Sequence, residues 1–382
     1  MNIDSIKPTA AVALADQARE LELAGKTIIK LQTGDPDFNT HPLIIEAAHQ
    51  ALQQGLTHYS FSQGLPELRD KIAADVNQAL NTQTLVDKNW ILISNGAAEG
   101  IYAAMAAIIE KNDEVIIIEP NWPTVDSLAT LLGAKVKKVS SFATAEEIIN
   151  SLEENYTAHT KFVCFNSPNN PTGQVYSQKL IDAVCNWAIA KDIYILADEV
   201  YQFLQFDEPS SSIKYLATYK KYICANSFSK KFAMTGWRVG YVIAHPDTLK
   251  KIAKASQLTI THVAPFVQKA ALAALTSTQS LIYAEEMKNT YNERRHILLD
   301  KCKSLNLEVI TCTGGFYLFI KLGNGIDDVT FCERMLLEKD TCIVPGSAFG
   351  KTGSNYVRIS YATTLENSLN GLERIAEMLN NY

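Results

Sequence analysis

The stretch Tyr222-Ile223-Cys224-Ala225-Asn226-Ser227-Phe228-Ser229-Lys230 joins an apolar run to a group of polar side chains. The run 222–225 is short and apolar, which is typical of a strand that is buried on both faces. Ser227, Ser229 and Lys230 follow its carboxyl end, where ligands bind in open α/β sheets. The stretch therefore predicts a buried strand of an α/β sheet, with a lysine at the edge of the sheet that binds ligands.

Three further apolar runs repeat this pattern, at 115–118, 162–165 and 194–197. Segments with helical spacing lie around them, from Pro66 to Leu80, from Ala98 to Ile109, and around Val184. Buried strands that alternate with helices are typical of a mostly parallel sheet covered by helices. We therefore expect an α/β fold over this part of the chain.

The sequence changes character after Thr276. A charged helical stretch runs through residues 285–295, and Phe316, Leu318 and Ile320 then alternate like a half-exposed strand. Apolar residues from Leu365 to Leu379 form one stripe of a terminal helix. We expect a large α/β domain at 44–276 and a smaller α+β domain built from 1–43 and 277–382.

Composition limits the classes of partner. With a net charge of -6 and no block of Lys or Arg, the chain of 382 residues does not resemble a nucleic-acid-binding protein. The seven cysteines show no C-x-x-C pair, which favours reduced thiols and no metal site. Residues 1–30 lack the pattern of a secretory signal, and no apolar run is long enough to span a membrane. We expect a cytoplasmic protein without membrane partners.

Lys230 is the first candidate for covalent chemistry. A free lysine has a pKa near ~10.4, so at neutral pH only ~1 amine in 10³ is unprotonated. Arg238 follows in Met234-Thr235-Gly236-Trp237-Arg238-Val239-Gly240, where its charge would lower the pKa of the amine and its guanidinium would bind phosphate. With the hydroxyls of Ser227 and Ser229, the group suits an amine that bonds to an aldehyde whose phosphate must also be held.

Three polar residues follow two other predicted strands. Asp198 ends the run 194–197 and Tyr201 comes three residues later, while Asn170 lies in Asn166-Ser167-Pro168-Asn169-Asn170-Pro171-Thr172-Gly173. A carboxylate in this place can keep a pyridine nitrogen protonated, and a phenol and an amide can bond a ring hydroxyl. Asn, Pro and Gly are also ordinary turn residues, so the second segment is equally compatible with a simple turn.

Three weaker candidates complete the set. The turn Gly96-Ala97-Ala98 opens a predicted helix, where free N–H groups attract an anion. Trp122 follows the run 115–118 and could stack on a planar ring or belong to the core. Arg358 lies in the predicted strand Tyr356-Val357-Arg358-Ile359-Ser360, where a buried charge needs a partner. A substrate carboxylate or a structural ion pair would serve.

Together these residues resemble the class I pyridoxal-phosphate-dependent aminotransferases of fold type I, near the aspartate and aromatic branch. The resemblance runs from Gly34-Asp35-Pro36-Asp37-Phe38 to Arg358, and its most specific part is the segment from Ser227 to Gly240. It implies that Lys230 forms the internal aldimine and moves the substrate proton, and that Asp198 pairs with the ring nitrogen. It also implies ring-oxygen contacts from Tyr201 and Asn170.

The same resemblance implies further roles. Trp122 would stack on the cofactor, Arg358 would bind the α-carboxylate, and Gly34 would contact the substrate through its backbone. The phosphate would be held by Ser227, Ser229, Arg238 and the turn Gly96-Ala97-Ala98. Tyr59 would reach the phosphate of the other subunit, which implies a homodimer with shared active sites. Ala98 departs from relatives that carry a hydroxyl or a lysine there, which weakens the case for strict aspartate specificity.

The expected reaction is a ping-pong transamination from aspartate or an aromatic amino acid, with 2-oxoglutarate as the expected acceptor. A β-lyase of the cystathionine type would use the same residues. A serine hydrolase is a formal alternative, because Ser227-x-x-Lys230, Ser304-x-Asn306 and Lys351-Thr352-Gly353 occur in its order. A ligand-sensing regulator is a third alternative, although it would carry a DNA-binding domain ahead of Gly34, for which we expect too few residues.

Overall fold

The computed structural model describes residues 10–381, and the helices and strands below lie within that range. The α-helices are α1 (Ala10–Leu23), α2 (Pro42–Gln53), α3 (Pro66–Ala79), α4 (Gly96–Ala106), α5 (Pro123–Leu131), α6 (Ala145–Asn155), α7 (Gln178–Ala190), α8 (Phe228–Lys231), α9 (Pro246–Ile260), α10 (Pro265–Thr276), α11 (Thr278–Ser304), α12 (Asp328–Lys339) and α13 (Leu365–Leu379). The strands are β1 (Ile29–Lys30), β2 (Ile91–Ser94), β3 (Glu114–Glu119), β4 (Lys135–Ser140), β5 (Thr160–Asn166), β6 (Tyr194–Asp198), β7 (Tyr222–Ser227), β8 (Gly240–Ala244), β9 (Tyr317–Lys321), β10 (Thr341–Cys342), β11 (Val344–Pro345) and β12 (Tyr356–Ser360).

A seven-stranded sheet forms the centre of the fold, in the order β2-β8-β7-β6-β5-β3-β4. Only β8 runs against its neighbours β2 and β7, and the remaining pairs are parallel. The four predicted buried strands lie in this sheet as β3, β5, β6 and β7. The α/β prediction with a mostly parallel central sheet is therefore confirmed.

Both faces of this sheet are covered, because alternate residues of each strand enter different cores. Tyr222 and Cys224 of β7 pack in one core with helices α3 and α10, while Ile223 and Ala225 pack in the other with α4. This double burial explains why the strands have continuous apolar runs. It also leaves the carboxyl ends of β5, β6 and β7 side by side at one edge of the sheet.

A third core surrounds the smaller sheets β11-β12-β9 and β1-β10. Helix α11 contributes Ala284 and Met287 to a core of the large sheet and Leu298 to this third core. The predicted charged helix and the predicted terminal helix are confirmed as α11 and α13. The domain boundaries at 43/44 and 276/277 stay a prediction.

Two details of the sequence-based secondary structure are wrong. Strand β9 is not half-exposed, because Tyr317 and Phe319 are as buried as Leu318 between them. Tyr317 bonds to Tyr201, and Phe319 stacks on Tyr356 at 4.8 Å, so both faces are covered. Helix α4 begins at Gly96 and ends at Ala106, whereas the apolar spacing indicated Ala98 to Ile109. The spacing continues past the helix because the turn at 108–109 also packs on the core.

All seven cysteines are free and buried. Among residues 10–381, no helix combines the length and the apolar character needed to cross a membrane.

Candidate active site

A cavity of about 360 Å³ opens at the carboxyl ends of β5, β6 and β7. It brings together twelve of the predicted site residues, namely Gly34, Ala97, Ala98, Trp122, Asn170, Asp198, Tyr201, Ser227, Ser229, Lys230, Arg238 and Arg358. Gly96 borders this pocket beside the Arg238 guanidinium. Tyr59 lies outside it, is 91% exposed and meets the His262 ring edge-on at 5.8 Å. One chain therefore assembles the whole predicted site except Tyr59.

Lys230 is held in the pocket by the short helix α8. Ser227 begins this helix, and its Oγ accepts a hydrogen bond from the Ser229 backbone N–H at 3.0 Å. The Lys230 Nζ donates to the Gly34 carbonyl oxygen at 2.6 Å. Burial lowers the pKa of Lys230 to about 8, with Arg358 and Arg238 acting in the same direction and Asp35 and Asp198 opposing them. A useful fraction of the amine is therefore unprotonated near neutral pH.

Asp198 ends β6 next to the strand that leads to Lys230. Its side chain is buried, and its Oδ1 accepts the Val200 backbone N–H at 3.2 Å. Burial raises the pKa of Asp198 to about 7, and the neighbouring Glu199 carboxylate adds to this increase. A carboxyl group in this state can pair with a protonated ring nitrogen, because a cation beside it would lower its pKa and favour the charged form.

A cradle for an anion lies beside Lys230, at the N-terminus of α4. Gly96 has φ +73°, and a Cβ on it would lie 2.5 Å from the Arg238 guanidinium, so only glycine fits. Arg238 itself has φ +52°, and its Nη1 donates to the Thr235 carbonyl at 2.8 Å. The backbone N–H groups of Ala97 and Ala98 face the same space, since both residues open the helix and line the pocket.

The hydroxyls of Ser227 and Ser229 line the same pocket and add to this cradle. Ser227 Oγ donates to Ser229 Oγ at 2.8 Å. Hydroxyls, a guanidinium and helix N–H groups together fit a phosphate monoester. The residues present therefore fit the phosphate of pyridoxal phosphate.

Arg358, on β12, is a buried cation that pairs with no carboxylate of residues 10–381. Its Nη1 donates to Asn170 Oδ1 at 3.0 Å, and its Nη2 donates to the Gln32 carbonyl. Its Nε has no partner among the described residues. The rings of Tyr317 and Phe349 lie 4.7 and 4.9 Å from the guanidinium. An arginine with an orphaned buried donor in a pocket fits a ligand carboxylate.

Asn170 and Tyr201 are fixed by their neighbours. The Asn170 backbone N–H donates to Asn166 Oδ1 at 2.7 Å, and because its own Oδ1 is used by Arg358, its NH₂ group is left as a donor. The Tyr201 hydroxyl lies 2.7 Å from the Tyr317 hydroxyl. Burial raises the pKa of Tyr201 well above its ordinary value, so the phenol stays protonated.

Trp122 lines the pocket from the N-terminus of α5, where it is the residue before the first helical turn. It is only half-buried, so a face of its ring remains available to a ligand. It also packs against the core on the α4 side of the sheet, and its stacking role stays a prediction.

Sequence reasoning missed Tyr317, Asp35 and Thr235, which also line the pocket. Thr235 Oγ1 donates to Asp35 Oδ1 at 2.6 Å, and this bond joins two motifs that are 200 residues apart. Asp35 and Thr235 lie next to Gly34 and Gly236 in the motifs quoted above, and this position could have identified them as pocket residues. Tyr317 gave no such signal, because strand β9 resembled a half-exposed strand.

The serine hydrolase alternative is wrong, because its three motifs do not meet. Ser227 Oγ donates to Ser229 instead of lying against an activating amine. Ser304 Oγ donates to the Lys301 carbonyl at the end of α11, and Lys351–Gly353 forms a 3₁₀ turn rather than a sheet edge. Neither Ser304 nor Lys351 lines the pocket.

Comparisons with known proteins agree with this geometry. Residues 26–375 match the family model of aminotransferase class I and II. The aspartate aminotransferase of Pyrococcus horikoshii is 35% identical over 381 residues, which cover 98% of this chain and 95% of that protein. The aromatic-amino-acid aminotransferase 2 of Thermococcus litoralis is 34% identical over 382 residues, with coverage of 99% and 97%.

A solved structure gives the same result for the fold. The aspartate aminotransferase of Thermus thermophilus with maleate superimposes with a TM-score of 0.91 at 32% identity, and the match covers 99% of this chain and 98% of that one. The chain is therefore an enzyme of fold type I that belongs to the class I pyridoxal-phosphate-dependent aminotransferases.

Proposed function

We propose that this aminotransferase moves the amino group of aspartate or of an aromatic amino acid to a 2-oxo acid, 2-oxoglutarate, in a ping-pong reaction. One observation carries the proposal: Lys230 shares a pocket with Asp198 and with Arg358, whose buried Nε has no hydrogen-bond partner in the described part of the chain. The names of the relatives, which include aspartate and aromatic aminotransferases, support the two donor classes.

Pyridoxal phosphate, when bound, supplies an aldehyde that condenses with amines and a ring that withdraws electrons from the substrate Cα. We propose Lys230 as the amine that holds it between turnovers. The cradle of Ser227, Ser229, Arg238 and the Gly96-Ala97-Ala98 turn would bind its phosphate. Asp198 would bind its ring nitrogen, Asn170 and Tyr201 its ring hydroxyl, and Trp122 the face of its ring.

The remaining groups act on the amino acid. The Arg358 guanidinium would bind the α-carboxylate, which fixes the orientation of Cα toward Lys230. Lys230 Nζ would then take the proton from Cα, a step that its lowered pKa assists. Before the substrate enters, the Gly34 carbonyl accepts a hydrogen bond from Lys230 Nζ. Once the substrate is bound, the Gly34 backbone is its proposed contact.

A panel of twenty amino acids against 2-oxoglutarate tests this proposal. We expect aspartate or the aromatic amino acids to give the highest kcat/KM, and Lys230→Ala to abolish both turnover and the absorbance of the bound cofactor. Full activity of that variant would refute the assignment of Lys230. Release of pyruvate and ammonia from cystathionine without any acceptor would indicate a β-lyase instead.

We further propose that the enzyme is a cytoplasmic homodimer in which Tyr59 completes the phosphate site of the other subunit. Tyr59, Phe61 and Leu258 are exposed by 91%, 61% and 83%, and the Tyr59 ring meets the ring of His262, just beyond the end of α9. Beside Leu258, Thr259 Oγ1 donates to Glu99 Oε1 at 3.3 Å, and Glu99 Oε2 accepts the Asn95 backbone N–H at 3.1 Å. Helix α9, which ends close to the partner of Tyr59, is thus bonded to α4, the helix that opens with the glycine turn of the cradle.

Sedimentation and cofactor titration test this arrangement. We expect a dimer in solution, and we expect Tyr59→Phe to weaken the binding of pyridoxal phosphate. Tyr194→Phe is the control, because Tyr194 starts β6 at the opposite edge of the sheet. A stable monomer with full activity, or equal effects of the two variants, would refute the shared site.

A further inference from the structure

A second cavity, of about 570 Å³, shares Val200 and Ser227 with the active-site pocket. It is bounded by α3 and by the side of β7 that carries Cys224 and Asn226. Its volume lies in the range of small-molecule sites, roughly 300–1,000 Å³. The transamination proposed above uses none of this space.

The walls of this second cavity are mainly apolar and aromatic. Phe203, Phe228, Phe232 and Tyr241 contribute rings, and Ile72 and Leu275 contribute aliphatic side chains. The Tyr241 ring meets Phe228 edge-on at 5.7 Å. Its hydroxyl makes no hydrogen bond to any residue in the described part of the chain. Such a lining suits a ligand with an apolar body.

Lys231 supplies a charge at this cavity. Its Nζ lies 4.7 Å from the centre of the Phe203 ring and 5.1 Å from that of Phe232. Within residues 10–381, the ammonium makes neither a hydrogen bond nor an ion pair. Burial lowers the pKa of Lys231, and the carboxylates of Asp75 and Glu285 oppose this shift. Lys231 is thus a half-buried ammonium that lies over two rings and makes no ion pair within the described residues, so its charge is available to an anionic ligand.

The carboxylates that line the cavity beside Lys231 are bonded to other groups. Asp75 and Glu285 are the carboxylates that act on Lys231, and Lys71 and Lys288 are the cations. The Asp75 carboxylate is already bonded to Lys71. The Lys288 Nζ lies 5.3 Å from the centre of the Phe203 ring, which is the ring that Lys231 also contacts. A further carboxylate, Glu199, also lines the cavity, and its Oε1 accepts hydrogen bonds from the Ser212 backbone N–H and hydroxyl at 2.9 and 2.7 Å. Asp75 and Glu199 are therefore bonded to other groups, and neither pairs with Lys231.

We propose that this second cavity binds a small amphipathic monocarboxylate, with its apolar body against the aromatic wall and its carboxylate paired with Lys231. Helix α8 carries Lys231 next to Lys230, and Ser227 lines both cavities. A ligand at Lys231 therefore contacts the same helix that positions the catalytic amine. If binding at Lys231 shifts this helix, linkage requires that the ligand and pyridoxal phosphate change each other's affinity by the same factor.

Calorimetric titration of the purified protein with decanoate tests the site, and it requires no assumption about the amino donor. Decanol provides the same apolar body without the charge. We expect decanoate to bind, Lys231→Met to weaken decanoate by at least about tenfold, and decanol to change by less than about twofold. Lys250→Met, at an exposed lysine of α9, is the matched control and should alter neither ligand.

A second variant fills the cavity instead of removing its charge. Ala79 lies at the end of α3, lines the cavity and is exposed, so Ala79→Trp should block the entrance without disturbing a core. We expect it to abolish binding of both decanoate and decanol. The proposal is overturned if decanoate does not bind, if Lys231→Met and Lys250→Met behave alike, or if Ala79→Trp binds decanoate normally. Loss of decanoate binding in Arg358→Met, with normal binding in Lys231→Met, would place the ligand in the active-site pocket and also overturn it.

Discussion

The most direct test of the site is the pH at which Lys230 becomes reactive. Its pKa falls from an ordinary 10.5 to about 8, which corresponds to about 3 kcal/mol in favour of the neutral amine. At pH 7 the unprotonated fraction therefore rises from roughly one in three thousand to roughly one in ten. An amine that must attack an aldehyde gains reactivity from this larger fraction, although its lower basicity offsets part of the gain.

The assay mixes the protein, freed of cofactor, with pyridoxal phosphate and follows the absorbance of the bound form by stopped flow. We expect the rate constant to rise by about tenfold for each pH unit below the pKa and to level off near pH 8, because only the neutral amine reacts. A midpoint near the ordinary lysine value would show that burial does not perturb Lys230 and would refute the reasoning.

Two substitutions should shift this midpoint in opposite directions. Asp35→Asn removes the carboxylate that raises the pKa of Lys230 most, so the midpoint should fall. Asp35 is exposed, and exposed pairs contribute only ~0.2–1 kcal/mol, so the fall should be a few tenths of a pH unit. Arg358→Met removes a cation that lowers the pKa, so the midpoint should rise. Asp247→Asn, at an exposed carboxylate of α9, is the control, and equal shifts in all three variants would contradict the electrostatic explanation.

Gly34→Ala should lower kcat strongly in a steady-state assay, because a Cβ at this position would overlap the Tyr317 hydroxyl. Adding Tyr317→Phe to that variant should restore part of the activity, because it removes the overlapping hydroxyl. Tyr317→Phe alone should reduce the free energy of unfolding in urea by about 1 kcal/mol, because it removes the bond to Tyr201; an unchanged value would show that the bond contributes nothing. Burial raises the pKa of Asp198 to about 7, so the cofactor-free folded state binds this proton more tightly than the unfolded chain does. The free energy of unfolding should therefore fall as pH rises from about 4 to about 7. Asp198→Asn should remove that part of the slope and lower kcat by at least ~100-fold, and a variant with wild-type kinetics would exclude Asp198 from the reaction.

The parts of the fold that the sequence predicts well are those in which local pattern and burial coincide. Strands β3, β5, β6 and β7 are buried on both faces, so their apolar runs are continuous and their carboxyl ends can be located within a residue or two. Since parallel strands end at the same edge of a sheet, the sequence alone predicts that Asn170, Asp198 and Lys230 lie close together.

The parts that were missed depend on contacts distant in sequence. The Gly34 carbonyl accepts a bond from Lys230, 196 positions away, and no local pattern encodes this pairing. Alternation in β9 indicated one exposed face, but Tyr317 is covered by Tyr201 from the other side of the pocket. A period of two describes the directions of the side chains, and it does not show whether another part of the chain covers the second face.

The hydrogen bonds of two buried arginines support Arg358, and not Arg69, as the proposed carboxylate-binding group. Both side chains are buried, and both are bonded to neutral acceptors instead of carboxylates. Arg69 Nε donates to the Ile91 carbonyl at 2.9 Å, whereas Arg358 Nε has no partner among the described residues. A carboxylate from the protein beside Arg358 would neutralise its charge and compete with any anionic ligand. Two neutral acceptors orient the guanidinium without neutralising it, so the attraction for a carboxylate is kept for the substrate.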